Sequence, residues 1–570
     1  MTRENIFVTL VFHFGRRILA SEEEQSANGS LGFGMGAVIA LLAAPGGFAS
    51  IILLNKYSTL LQWVRGQTGF NPLRASVADE YFFVVLSMTI TGLVMVMKWN
   101  RLLPDKRDFE NLAILPIPIR NVFLANLTAL VAVGFLIGIV VNAASSIFFP
   151  LFVTMALDSF PLLFRFFLAN IVTVFLASVF SFFAVFAVVG LLMLLPPMLF
   201  RPLSLLVRMI LVVALLAGLA SNLLLQLFSG QVSVHSHGYV RLLPSYWFLG
   251  IYEDVGGIAS PAMAQLGHRA LVAVLIAIIA GLAAYAACYK RHFLRLSENM
   301  DRIGGAGGSS RFAFLSWLGS WILPNVFERA CSSFTAKVLL RNEKHVMFAG
   351  AYLGLGLVLI ASLVLPGGLR GSSNGIPDAG LLAIPILIAF FVATGLRFAF
   401  EMPAELEANW IFRITVDSPG EVPRKAVKKI MLLSTIPWQI GILLPLMAWA
   451  YDWRIAIEHT AVAVGVTILT IRGLLIGFRK IPFTCSCQTD VKQYVVRILG
   501  CILAVSFLVP LLTALECWAM KDAVRVPVLA ALYAGAWYLL AYVRQEAEGD
   551  GEGTLFEERH SSALNVLRIY

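Results

Sequence analysis

The chain has 570 residues, of which 59% are hydrophobic and 13% charged, and a net charge of +10. That balance excludes a soluble enzyme tethered by one anchor, because long stretches have no polar face to give to water. Nucleic acid is not expected as a partner, since the positive charge is accounted for by basic segments lying against anionic lipid.

In residues 1–30, Phe7, Val8, Leu10, Val11, Phe14, Ile18 and Leu19 recur at mostly helical spacing against Arg3, His13, Arg16 and Arg17. This pattern predicts an amphipathic helix lying in the inner interface, or equally a plain cytoplasmic lead-in. The first strongly apolar run begins near residue 31 and is long enough to be a span, so no cleavable leader is expected.

Runs long enough to cross a bilayer core of about 30 Å follow at 31–54, 79–97, 121–142, 163–195, 203–228 and 269–288, and then at 346–365, 380–396, 430–450, 455–475, 494–515 and 524–543. The expected fold is therefore all-α, a polytopic integral membrane protein with about twelve transmembrane helices. Placing the N-terminus inside puts 33 of the 43 Lys and Arg on the cytoplasmic side. Lys56, Arg65, Arg74, Arg165, Arg241, Arg269, Arg370, Arg454, Lys521 and Arg525 stay outside. The partition predicts that both termini are cytoplasmic and supports the number of spans, because one missed helix would scramble every later loop. The six cysteines lie mostly in spans or on the reducing side, so no disulfide framework is expected.

The longest polar interruption, residues 290–345, holds Gly304, Gly305, Gly307, Gly308, Ser309 and Ser310 and reads as a flexible seam. It divides the chain into a lead-in (1–30), a first six-helix half (31–289), the connecting segment (290–345), a second half (346–543) and a tail (544–570). Each half has a basic, aromatic lead-in, two spans, a charged cytoplasmic segment and four more spans. Equal orientation of the halves predicts a pseudo-two-fold axis along the membrane normal.

Charge is scarce inside the spans. No Asp, Glu, Lys or Arg is expected near the middle of any, and Arg165, Arg208, Arg397, Arg472 and Arg497 lie toward ends, where they can snorkel. A proton-coupled carrier needs a buried titratable group, and this reading finds none, so energy is expected to enter from outside the membrane domain. The chain lacks a GxxxxGK[ST] loop, so any ATP and Mg would be bound by a separate subunit and no cofactor by this chain.

Two charged segments are candidate docking surfaces for such a subunit. Pro104, Asp105, Lys106, Arg107 and Asp108 stop the preceding span and lead into an amphipathic stretch closed by Pro116 and Pro118. The second half has Pro403, Glu405, Glu407, Asn409, Trp410 and Arg413 at the corresponding place. Plain solvated loops are the alternative. No metal site is expected from His235-x-His237 or Cys485-x-Cys487, which lack further ligands nearby. No catalytic residue is expected either, since Glu458-His459 names no nucleophile with a positioned base.

Several motifs resemble one family. Tyr81-Phe82-Phe83, Ser87-Met88, Gly92, Lys98-Trp99, the 103–108 run LPDKRD, and Leu115-Pro116-Ile117 with Arg120 and Phe123 are similar to the second and third helices and intervening coupling segment of bacterial type-2 ABC transporter permeases. The 243–250 run LPSYWFLG resembles the external loop before the sixth helix of large permeases of that kind. The 408–413 run ANWIFR and the 480–486 run KIPFTCS resemble second-half motifs of fused forms.

The resemblance implies an exporter permease in a bacterial cytoplasmic (inner) membrane, paired with two cytoplasmic ABC ATPase subunits that bind ATP and Mg. It makes Arg120 part of the first coupling segment and Pro244, Tyr246 and Trp247 a candidate external gate, although Tyr246, Trp247 and Trp438 equally fit an aromatic belt. The charge-poor spans suit a lipophilic or amphipathic cargo. Two other readings stay open. One is a secondary carrier without an intramembrane carboxylate. The other is a polytopic enzyme acting on a lipid-linked substrate, with Asp158, His235, His237, Glu253, Asp254 and Glu458 as its external acid–base candidates.

Overall fold

The structure is a computed structural model. It describes residues 3–19, 31–57, 72–99, 102, 117–154, 160–229, 242–258, 260–298, 326–367, 379–402, 404, 412, 421–478, 481–484, 500–501, 503–521 and 523–549. These residues are helical with no strand among them, and they fall into two compact units, Met1–Gly305 and Ala306–Tyr570.

In the first unit, α1 (Arg3–Leu19) packs Leu10 and Phe14 against Val122, Ala125 and Ala129 of α4 (Ile119–Thr154). The periodic apolar stripe of residues 1–30 is therefore a helix face with a partner. Two further helices, α2 (Leu31–Tyr57) and α3 (Pro72–Met97), precede α4, and α5 (Phe160–Met193), α6 (Pro197–Ser229), α7 (Pro244–Gly256) and α8 (Pro261–Glu298) follow it. The centre of the unit is formed by α3 and α5, which pack against each other and share α4, α6 and α7 as neighbours, while α8 lies along α5 and α7.

The second unit has α9 (Val326–Arg341), α10 (Glu343–Gly367), α11 (Ala379–Ala399) and α12 (Glu421–Trp438). A π turn, Gln439–Leu443, carries α12 into α13 (Leu444–Ala450) just after Pro437, where the ring removes a backbone donor and the extra residue accommodates the break. Then come α14 (Trp453–Leu474), α15 (Val509–Met520) after a second π turn, and α16 (Val526–Gly549). Here α11 is central and packs against α10, α12, α14 and α15, with α9 on α12 and α16 on α14.

Five pairings of the first unit, α1 on α4, α3 on α4, α3 on α5, α3 on α6 and α5 on α8, have counterparts in the second, α9 on α12, α11 on α12, α11 on α14, α11 on α15 and α14 on α16. Others differ: α2 packs mainly on α4 whereas α10 packs on α11, and α7 has no counterpart among the described residues of the second unit. There a 3-10 turn, Ala523–Arg525, joins α15 to α16.

Eight helical stretches are long and apolar enough to cross a membrane: Ala75–Met97, Arg120–Thr154, Phe160–Met193, Pro261–Cys288, Gly380–Ala399, Arg424–Trp449, Trp453–Leu474 and Val526–Gln545. Leu42–Leu54, Leu203–Leu219, His345–Ile360 and Val509–Met520 are shorter apolar stretches that overlap the other four predicted spans. Helix ends moved more than helix positions. The span predicted at 121–142 belongs to a 36-residue helix, and the one predicted to begin at 79 begins at Pro72.

Candidate functional site

The early start of α3 has a chemical consequence, because Ser76, Asp79 and Glu80 become helical side chains turned into the protein rather than loop residues. All three are buried. Lys56, at the end of α2, donates to both Asp79 carboxylate oxygens at 2.8 Å, and the Tyr57 hydroxyl donates to Oδ2 at 2.5 Å. Asp79 is thus answered by a cation and a phenol. Glu80 has a different neighbour: Asn170 Nδ2 of α5 donates to Oε2 at 2.7 Å, while Glu80 Oε1 and Asn170 Oδ1 are buried with no hydrogen-bond partner among the described residues. Glu80 lies in the second turn of the apolar stretch Ala75–Met97, and a buried carboxyl with one oxygen unanswered is costly to retain.

Helix α7 closes this cluster. Pro244 opens the helix, where its missing N–H costs no hydrogen bond, and Gly257 ends it in the left-handed region at φ 72°. Arg165 Nε of α5 donates to the Val255 carbonyl at 2.8 Å, placing a cation at the negative end of α7. Gly250 meets Gly267 of α8 backbone to backbone, and a Cβ on Gly250 would overlap Gly267 N and the Met263 carbonyl. Glycine is required there by contact.

Between these ends, the Tyr252 hydroxyl donates to Ser76 Oγ at 3.1 Å, Tyr81 Oη lies 3.3 Å from Ser245 Oγ, and the Tyr81 and Tyr246 rings meet edge to face at 6.0 Å. Burial first, and the Glu80 charge second, push the Tyr252 phenol well above its ordinary range, so it acts as a neutral donor. Burial likewise raises the Glu253 carboxyl.

The polar path continues inward along the α3–α5 seam. Ser87 Oγ lies 2.6 Å from Ser178 Oγ and donates to the Val174 carbonyl at 3.0 Å, Asn142 of α4 donates to Ser178 Oγ at 2.9 Å, and Thr91 donates to it at 3.2 Å. These neutral groups tie three helices together at membrane depth.

The second unit holds a different buried pair. His459 Nδ1 of α14 and Glu516 Oε1 of α15 are 2.7 Å apart and at most 1% exposed, and His459 Nε2 and Glu516 Oε2 have no hydrogen-bond partner among the described residues. Nearby along α14, Gln439 in the π turn donates to Thr467 at 2.9 Å. At the far end of α11, Arg397 binds Glu401 and the Leu474 carbonyl and lies over the Phe478 ring.

The expectation that no buried titratable group exists is therefore corrected. Asp79 and Glu80 lay at the edge of a predicted span, Glu516 lay one residue beyond one, and each helix runs further than its apolar window. His459 gave no signal of a buried pair because its partner is 57 positions away.

The proposed gate residues fall into the unit-1 cluster. Pro244 starts α7, Tyr246 is 1% exposed in a core with Tyr81, Val85, Leu249, Met263 and Leu266, and Trp247 packs on the rim of that core. The run resembling an external loop is a helix. Arg120 is exposed in the first turn of α4. Pro104, Asp105, Lys106, Arg107, Asp108, Pro116, Pro403, Glu405, Glu407, Asn409, Trp410 and Arg413 lie outside the described residues, as do Asp158, His235, His237, Cys485 and Cys487. Among the described residues no three His, Cys, Asp or Glu side chains are grouped to hold a metal ion.

Compared with known proteins, the chain matches no protein-family model, no curated protein and no solved structure.

Proposed function

We propose that the chain is the transmembrane permease subunit of an ATP-driven exporter, a twelve-span protein of a bacterial cytoplasmic membrane whose ATP is hydrolysed on separate ATPase subunits. The observation that carries this reading is a partly repeated plan: two compact units that share five internal helix pairings, among them a lead-in helix seated on α4 in the first and on α12 in the second. In the first unit that seat is the contact of Leu10 and Phe14 with Val122 and Ala125, and in the second it is Cys331 against Ala426, braced by Lys429 and Glu328.

A lead-in helix fixed to a membrane helix is a lever. Movement imposed on it from the cytoplasm tilts the helix it grips, and a cargo that binds the two resulting states unequally is moved in one direction. The motif resemblance and the 33-to-10 partition of Lys and Arg point the same way. Copurification of the full chain from mild detergent with an ATPase whose activity responds to the chain is the expected result, and recovery of the chain alone, with no stimulated ATPase, would count against the reading.

A second reading is favoured by the buried carboxylates. Glu80 and the His459–Glu516 pair are the kind of groups through which a secondary carrier couples to protons. Flux measured in vesicles separates the two readings. Transport driven by a pH gradient without ATP, and lost in Glu80→Gln or Glu516→Gln, supports a carrier. ATP-dependent transport insensitive to the gradient supports the permease.

A further inference from the structure

At the end of the second unit where α12 begins and α14 and α16 finish, a cavity of about 260 Å³ is lined by Arg424, Lys428, Arg472 and Arg544, with Gln545 beside them and Leu475, Leu540 and Ala541 on its apolar side. No acidic side chain lines it among the described residues. Arg424 and Lys428 are one helical turn apart and share a face, Arg472 is in the last turn of α14, and Lys428 lies within electrostatic reach of all three arginines. Lys428 and Arg472 bring like charge to one space, and an anion bound there would offset their repulsion.

Arg472 identifies the kind of anion. Its guanidinium lies over the Trp537 ring at 3.5 Å, which fixes the plane of the fork, while its buried Nη1 has no hydrogen-bond partner among the described residues. A stacked guanidinium with a buried, unanswered Nη1 is suited to an oxygen of a phosphate.

Position separates a lipid from a soluble anion. The candidate spans begin at Arg424, end at Leu474 and end at Gln545, so the cavity lies at the membrane boundary. Its α16 wall continues into a face with exposed Leu532, Tyr538, Leu539, Tyr542 and Val543, where acyl chains have an apolar surface to follow. Pockets for drug-sized ligands start at roughly 300 Å³, so this smaller volume suits a headgroup rather than a large cargo.

We propose that this basic cavity binds the phosphate headgroup of an anionic membrane lipid, whichever transport reading holds. The test uses the full chain in neutral detergent and measures its unfolding temperature with added short-chain phosphatidylglycerol, phosphatidylcholine or inorganic phosphate. Phosphatidylglycerol is expected to raise Tm by several degrees, and phosphatidylcholine and inorganic phosphate to leave it in place. The shift should disappear in Lys428→Gln/Arg472→Gln and shrink in Arg472→Lys, which keeps the charge but loses the stacked fork. Native mass spectrometry of the same samples should show a phosphatidylglycerol adduct on the wild type and a several-fold weaker one on the double variant, a readout that does not depend on the variant's stability.

No phosphatidylglycerol shift and no adduct would overturn the proposal. An equal shift with inorganic phosphate would overturn the lipid assignment in favour of a soluble anion. A phosphatidylglycerol shift that appears only when Glu546 and Glu548 are neutralised would mean that the chain's own acidic tail fills the cavity, and would also overturn it.

Discussion

At the scale of single residues, Glu80 and Asn170 face each other across α3 and α5 with one hydrogen bond made and two buried oxygens unanswered. A glutamine at position 80 can donate to Asn170 Oδ1 as well as accept from its amide, so Glu80→Gln is expected to retain or raise thermal stability. Glu80→Ala leaves the Asn170 amide buried without its acceptor and is expected to cost about 1–3 kcal/mol. Thermal unfolding of the two variants in detergent measures the difference, and equal losses would mean that the carboxyl position carries no such weight. The α7–α8 crossing is less forgiving. Gly250→Val pushes methyl groups into the Gly267 backbone and is expected to destabilise by about 1–3 kcal/mol or more, loosening Tyr246 and Tyr252 from the α3 cluster. Gly441→Ala, where a Cβ meets nothing within 4 Å, serves as the control.

At the scale of elements, the two segments proposed to couple ATP hydrolysis to movement lie between predicted spans in the sequence, and exposed ion pairs contribute only about 0–1 kcal/mol to stability. Charge reversal within 105–108, or of Glu405 with Glu407, is therefore expected to leave insertion and folding intact while separating ATP hydrolysis from transport. Variants that stimulate the ATPase and transport normally would reduce both segments to plain loops.

How far each element could be read in advance follows from the length of its signal. Apolar runs of twenty residues are local, so every predicted span is helical where it is described, apart from end residues such as Leu194, Leu195 and Leu475. The period of α1 was visible, because Leu10 and Phe14 are four apart, but a plain lead-in fitted equally well and its seat on Val122 and Ala125 was not foreseen. The buried charges were not. Asp79 is held by Lys56 and Tyr57 over 22 or 23 positions, Glu80 by Asn170 over 90, and His459 by Glu516 over 57. Nothing in the local sequence distinguishes a carboxyl that ends a span from one that turns inward and finds a partner on another helix. The basic cavity escaped for the same reason, since its four cations come from three helices that are distant in sequence.

At the scale of the whole molecule, the charge partition predicts that both termini and residues 290–345 face the cytoplasm. Single cysteines at positions 25, 305 and 555 should react with a membrane-impermeant thiol reagent only after the membrane is opened. Native Cys331 is fully buried and burial pushes its thiol up to about 12, so it contributes little background. External labelling at any of the three sites would break the proposed threading. The central claim, a fused pair of permease halves driven from outside the membrane, has a stoichiometric consequence. On the proposed reading each half would supply one coupling segment, and two ATPase subunits closing on each other would need two points of attachment, so a single copy of the chain would suffice. The segments differ, with mixed charge and proline in the first and acidic residues followed by basic ones in the second, so the two contacts are expected to be unequal. Native mass spectrometry of the detergent-purified complex is the most direct measurement: the account predicts one copy of the chain with two ATPase subunits, and a complex holding two copies of the chain with two ATPase subunits would contradict it.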